Sequence, residues 1–195
     1  MKDTPNNETR VRLLDAAEAL FSSRGYTSVR LRDIAAAVDM RHASLYYYAP
    51  GGKAQLYIEV MERSMQRHRI GLEAAIRNAG GDLRAEIYAV VDWLVAQPPL
   101  DINRMNNADM HELNAEQARK LMELSYDSLR LPIGEALARA AAAGQITVPD
   151  VDLAAMGLIA LIQSVHAIPP AYRSVSLAAL GHQLAAMLMD GWFRR

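Results

Sequence analysis

Residues 29–48 read VRLRDIAAAVDMRHASLYYY, and the reading of this stretch decides the fold. Leu31, Ile34, Ala35 and Val38 recur at helical spacing, which gathers them on one buried face of a short helix. Asp39 is the turn residue, because aspartate tolerates the left-handed backbone conformation better than most side chains. After it, Met40 and Leu45 point inward, while Arg41, His42, Ser44, Tyr46, Tyr47 and Tyr48 include the outward positions. A second helix of barely two turns, rich in donors and basic groups, has the dimensions that enter a DNA major groove. The pattern predicts a helix-turn-helix.

Upstream, Leu13, Leu14, Ala17, Leu20 and Phe21 form the apolar stripe of a helix over 8–24. Gly25 is its stop, and Asn6 or Asn7 its cap. This helix packs the helix-turn-helix from behind. Downstream, Pro50-Gly51-Gly52 reads as a hinge, followed by one long helix over 53–79 and the stop Gly80-Gly81. Helices follow over 82–97, 114–143 and 150–168, with a short helix or turn over 102–112 and a closing helix over 174–193. Asn114 caps the helix it precedes, Pro132 kinks it, Asp150 starts the next, and Ser174 or Ser176 caps the last. No strand alternation appears. The expected fold is all-α with about nine helices, residues 1–50 forming a DNA-binding head and 51–195 a helical body.

Composition agrees with a folded protein: 51% of the 195 residues are apolar and 22% charged. There is no cysteine, which excludes disulfides and thiol chemistry. The polar opening MKDTPNNETR has no apolar signal region, and the longest apolar run, Leu153 to Ile162, is too short to cross a bilayer. A cytoplasmic protein without membrane contact is expected. The formal charge is −1, yet residues 1–70 carry net +3 and residues 71–195 net −4. A basic head on an acidic body is what a local DNA footprint needs.

The stretch RDIAAAVDMRHASLYYYAPGGKAQL also resembles the DNA-binding signature of the TetR family of bacterial one-component regulators. Arg32-Asp33-Ile34-Ala35, Ser44-Leu45-Tyr46-Tyr47 and Lys53 match that signature in order and spacing, and LLDAAEALFSSRGY at 13–26 matches the family's first helix. The resemblance covers residues 8 to about 60; beyond that only length and helical layout are similar. Asp39 stands where glycine is usual and Met40 where valine is. Arg30 replaces a capping hydroxyl, so a capping box with Asp33 lacks half its bonds. Ala49 replaces a frequent phenylalanine, and Gly51-Gly52 adds a residue before Lys53.

The expected DNA contacts are Arg30, Arg41, His42, Ser44, Tyr46, Tyr47 and Lys53. Arg41 and His42 open the reading helix and are the candidates for base edges, arginine preferring guanine. Tyr46 and Tyr47 offer hydroxyls to phosphate, Ser44 permits close approach, and Arg30 and Lys53 reach phosphates. Gly51-Gly52-Lys53 is no phosphate loop, because Ala54 stands where such a loop needs Ser or Thr.

Leu153, Met156, Gly157 and Ala160, with Leu177, Leu180, Leu184 and Leu188, are the expected dimer interface. LAAMGLIALI is apolar almost all round, and LAALGHQLAAMLMDGW keeps a leucine face flanked by Met187 and Trp192. The small residues Gly157, Ala160, Ala178 and Gly181 permit close helix approach. A monomer core would show the same pattern, but the resemblance implies a four-helix homodimer interface and hence a palindromic double-stranded DNA operator. The resemblance also implies a pocket for an effector. Trp93, Met105, Met110, His111, Met122, Tyr126 and His166 are its candidate lining, suited to a small, mostly apolar molecule oriented by a few polar groups.

No cofactor or metal is expected. The five histidines lack metalloprotease spacing, and Asp92 and Asp109 have no paired acid in sequence. The expected function is a repressor released from its operator by the effector. A ligand-independent or activating regulator on the same scaffold is the alternative, with an all-α enzyme the remote one.

Overall fold

A computed structural model of the chain describes residues 4–99 and 102–191. Among these residues the architecture is nine α-helices and three short 3-10 turns. In order, α1 is Thr4–Ser28, α2 Leu31–Ala37, α3 His42–Tyr48, α4 Gly52–Asn78, α5 Leu83–Ala96, α6 Ile102–Asn107, α7 Ala115–Ala142, α8 Val151–Ser164 and α9 Leu177–Asp190. The 3-10 turns are Asp109–Glu112, Val165–Ala167 and Pro170–Tyr172. Trp192 of the expected apolar face lies outside the described residues.

The chain packs as two compact units: Met1–Ser64 with Leu100–Leu124, and Met65–Pro99 with Ser125–Arg195. The division falls inside α4 and α7. It also assigns α6 and the 3-10 turn after it to the same unit as the helix-turn-helix.

Local chemistry explains the element ends. Gly25 adopts φ 77°, ψ 164° and breaks α1, as its position after the apolar stripe predicts. The helix begins at Thr4, so neither Asn6 nor Asn7 precedes it as a cap. Asp82 accepts from the Ala85 amide at 2.9 Å, and Asp150 from those of Asp152 and Leu153 at 2.9 and 3.0 Å. Asn114 and Gln117 cap α7 reciprocally at 2.9 and 3.3 Å. Ser176, rather than Ser174, caps α9, accepting from Ala179 at 3.2 Å. Each such bond satisfies an amide that the helix leaves orphaned. Pro132 sits inside α7 without ending it.

In the first unit, Leu13, Leu14, Ala17 and Phe21 of α1 pack with Ile34, Ala35, Leu45, Leu56, Tyr57 and Val60. Met105, Met110 and Leu121 belong to the same buried cluster. In the second unit, α5 lies against α8 and α9. A Cβ on Gly181 would sit 2.6 Å from Val91 Cγ1, so the absent side chain is what lets α9 approach α5. Gly181 therefore serves the chain's own packing. Polar pairs close the same seam: His182 with Asp92 at 2.9 Å, Arg84 with Asp190 at 2.7 Å, and the Tyr88 ring stacked on His182 at 4.6 Å. Glu86, buried on α5, has both carboxylate oxygens within 3.3 Å of the Arg139 guanidinium of α7.

Candidate nucleic-acid interface

The turn between α2 and α3 is built by backbone hydrogen bonds. Met40 donates to the Ala35 carbonyl at 2.8 Å and Asp39 to Ala36 at 3.2 Å, which closes α2 in a Schellman motif. The motif needs a left-handed residue, and Asp39 supplies it at φ 55°. It is the one non-glycine with positive φ among the described residues. At the other end of α2, the Asp33 carboxylate accepts from the Arg30 amide at 2.9 Å. The reciprocal bond is missing because arginine has no acceptor.

Leu45 anchors α3, fully buried in the unit's core. Arg41, His42, Ser44, Tyr46 and Tyr47 are all exposed, with Tyr46 at 50% and Tyr47 at 74%. Tyr48 turns back to pack on the core, and its carbonyl accepts from Arg10 at 2.8 Å. The His42 ring meets Tyr46 edge to face at 5.3 Å, and Tyr47 meets Tyr48 at 5.2 Å. Arg30 is exposed just before α2. Six of the seven sequence-predicted contact residues thus present their side chains to solvent.

Lys53 is the seventh and differs. Its ammonium donates to the Tyr26 and Val29 carbonyls at 3.0 and 3.1 Å and sits 3.9 Å from the Tyr26 ring centroid. Partial burial lowers its pKa, and the nearby Glu112 and Asp109 carboxylates oppose that shift. The position reads as a clamp between α1's end and α4's start, rather than the open phosphate contact expected from its place at a helix N-terminus. The spacing of Lys53 could not reveal this, because its acceptors are carbonyls 24 and 27 residues upstream.

Of the effector-pocket candidates, Met105, Met110, His111 and Met122 belong to the first unit and Trp93, Tyr126 and His166 to the second. Met105 and Met110 fill the core of the first unit. His111 is exposed, as are Met122 and Tyr126 on α7, where Arg130 covers the Tyr126 ring at 4.9 Å. Trp93 and His166 remain within the second unit. A Cβ on Gly71 would lie 2.0 Å from the Trp93 indole, so that glycine makes room for the ring. Trp93 Nε1, His166 Nε2 and Ser128 Oγ are buried without a hydrogen-bond partner. Burial lowers the His166 pKa, partly offset by a hydrogen bond with the Leu94 backbone, which favours the neutral ring. Ser128 was missed from sequence because a serine inside a helix carries no burial signal of its own.

The dimer candidates divide by facing. Leu153 is 70% exposed, Ala160 is exposed, and nothing lies within 4 Å of where a Cβ on Gly157 would project. Leu153, Ala154, Gly157, Leu161 and Leu188 of α8 and α9, with Val148, Pro149 and Asp150 before them, line an open, mostly apolar groove of about 360 Å³. Met156, Leu177, Leu180 and Leu184 are half-buried.

Comparison with known proteins agrees with this geometry. The model of bacterial regulatory proteins of the tetR family matches residues 13–60, and that of the AefR-like transcriptional repressor C-terminal domain matches residues 82–173. The HTH-type transcriptional repressor NicS of Pseudomonas putida is 27% identical over 136 residues, which are 67% of this chain and 63% of that protein. The chain thus aligns with less than two thirds of that relative's length. A transcriptional regulator from Saccharomonospora viridis, solved with choline, superposes with TM-score 0.74 at 23% identity, over 97% of this chain and 100% of that one. AibR, solved with isovaleryl coenzyme A and operator DNA, gives TM-score 0.74 at 17% identity, over 92% and 97%. Such identities speak to fold alone. With both family models matched in order along one all-α chain, the protein belongs to the tetR family of bacterial regulatory proteins.

Proposed function

We propose that this regulator is a homodimeric repressor that binds a palindromic DNA operator through α3 and is released by a small molecule. The observation that carries the reading is the facing of α3: Leu45 is buried while Arg41, His42, Ser44, Tyr46 and Tyr47 stand in solvent. Arg41 and His42 read base edges, Tyr46 and Tyr47 give hydroxyls to phosphates, Ser44 allows close approach, and Arg30 reaches a phosphate from the start of α2. Lys53, with two of its three donors committed to carbonyls, contributes to DNA binding by holding the head and has at most one N–H for a phosphate.

A single two-turn helix reads too few bases for specificity, so two copies are needed. The apolar groove of α8 and α9 supports that pairing. Leu153, Gly157 and Leu188 line it, with Ala160, Met156, Leu177, Leu180 and Leu184 of the same two helices alongside. The effector binds among the body helices; Trp93 and His166 of the expected lining, each with a ring nitrogen buried and unpartnered, suit a mostly apolar molecule with a few hydrogen-bonding groups. It acts by binding the released form more tightly than the DNA-bound form.

Selection from random duplex DNA, followed by titration of the winner at several salt concentrations, tests the reading. A palindromic consensus is expected, with log affinity falling by roughly 0.9 per log salt for each phosphate neutralised. Arg41→Ala should lose tenfold or more for the winner, roughly 1–3 kcal/mol. No enrichment, with wild type and variant binding random duplex equally, would remove the repressor reading.

A further inference from the structure

Asp109 is a carboxylate buried to 4% exposure, at a position no DNA contact or effector role explains. Its Oδ1 accepts from the Tyr26 amide at 2.9 Å, its Oδ2 from the Tyr57 phenol at 3.3 Å, and Arg104 Nε lies 3.8 Å from Oδ2. Burial and the neighbouring carboxylate push the Tyr57 pKa well up, so the phenol stays a donor. The same Arg104 gives its Nη2 to the Phe21 and Ser22 carbonyls at 3.2 and 2.6 Å. These carbonyls belong to the last turn of α1 before the Gly25 break. A cation therefore caps the helix's carbonyl end, and an anion takes the first amide beyond the break. Gly25 leaves room for the pair: a Cβ there would stand 3.1 Å from Arg104 Cδ and 3.4 Å from Asp109 Oδ1.

The chain then passes from this clasp into the helix-turn-helix at both ends. Tyr26 and Val29, which lead into α2, offer their carbonyls to Lys53, which follows α3. The Tyr26 ring lies 5.1 Å from that of Tyr57 and 6.1 Å from that of Phe21, so the same side chains also pack together. Met105 and Met110 would hold this segment against the head by burial alone, but apolar contacts between flexible thioethers tolerate sliding. Hydrogen bonds to a buried charge do not, since a displaced carboxylate loses its partners while staying desolvated.

We propose that Asp109 and Arg104 are positioning residues for DNA reading. In this role α6 and the following 3-10 turn form a fixed part of the head, and the clasp sets the register of α2 and α3 without touching DNA. The inference rests on the DNA-reading role of α3 proposed above. Its content is that operator recognition depends on two residues, Arg104 and Asp109, well downstream of the motif that ends at Tyr48.

The test measures, for the full-length protein, affinity for the selected operator and for random duplex under identical salt. Wild type, Asp109→Asn, Arg104→Met and the double variant are compared, each checked for folding by its thermal transition. Asp109→Asn keeps an acceptor for Tyr26 but drops the charge; Arg104→Met keeps the apolar stem beside Gly25. Each single variant should lower the operator-to-random ratio at least fivefold, with random-duplex binding unchanged and the double variant no worse than the poorer single. A purely structural role would lower the folded fraction and cut both affinities by the same factor. An unchanged ratio in either folded single variant overturns the proposal, and if Asp109→Asn does not fold, Arg104→Met alone decides it. If wild type itself selects no sequence, the DNA-reading role falls and takes this inference with it; a selective wild type with selective variants overturns the inference alone.

Discussion

The outer face of α3 and the groove of α8 and α9 are both open to solvent, and they are open in different ways. Tyr47 on α3 is 74% exposed and Leu153 on α8 70%. Around Tyr47 stand Arg41, His42, Ser44 and Tyr46, all of which water solvates. Around the groove stand Leu153, Gly157, Leu161 and Leu188, which it does not. Each Å² of apolar surface left wet costs roughly 25 cal/mol, whereas a solvated guanidinium or phenol costs almost nothing to leave free. A polar face can thus wait for a partner and release it, and an apolar one is better covered throughout. On the proposed function, the comparison separates a switchable contact from a standing one within one chain.

Breaking the standing contact should have the largest effect. Leu153→Asp places a charge at the centre of the groove in both copies and should raise the dimer dissociation constant by about 100-fold or more, roughly 3 kcal/mol. Sedimentation would read the shift to monomer, and operator affinity should collapse with it. A variant that stays dimeric at micromolar concentration would show that this groove is not the interface.

Next comes the boundary between the groove and the chain's own packing. Gly181→Ala drives a methyl into Val91 and should destabilise the fold by roughly 1–3 kcal/mol, seen as a lower denaturation midpoint. Its dimer affinity, measured on the folded fraction, should stay within threefold of wild type. A selective loss of dimerisation instead would mean that Gly181 faces the partner after all.

Arg41→Ala sharpens the polar side of the comparison. Because Arg41 is exposed and its side chain makes no capping bond at the start of α3, its removal should leave stability within about 0.5 kcal/mol while lowering operator affinity tenfold or more. The smallest effect is expected at Asp39→Gly. Glycine adopts φ 55° without strain, so the variant should gain roughly 0.5–1 kcal/mol in chemical denaturation with the turn unchanged. A loss of stability there would mean that the Asp39 side chain makes a contact worth more than its backbone strain.

The residues read correctly in advance share one property: their signals are local. Leu31, Ile34 and Ala35 announce a face by spacing, Gly25 announces a break, and Asn114, Asp150 and Ser176 announce helix starts through bonds to amides two or three residues away. Asp39 belongs with them, since the left-handed residue of a turn is chosen by its own backbone. The three tyrosines were only half legible. Their helical phase requires one to point outward, but which one turned in was decided by where Leu45 met the core.

Lys53, Met105, Met122 and Tyr126 carry no such local signal. A lysine at a helix start or a methionine at helical spacing fits several environments equally well, and the partner that chooses among them lies far off in sequence. Asp109 is the extreme case. Its acceptor bond to Tyr26 spans 83 residues, and an aspartate in a polar stretch carries no mark of burial.

By itself, then, the sequence determined the all-α class, the helix-turn-helix with its turn at Asp39, and the break at Gly25, because each follows from the energetics of a few neighbouring residues. Tertiary structure alone decided that α6 and the turn after it join the head, that Gly181 packs against Val91, and that Lys53 clamps two carbonyls. Those outcomes depend on which distant surfaces meet, and burial and hydrogen bonding become specific only once the chain has brought them together.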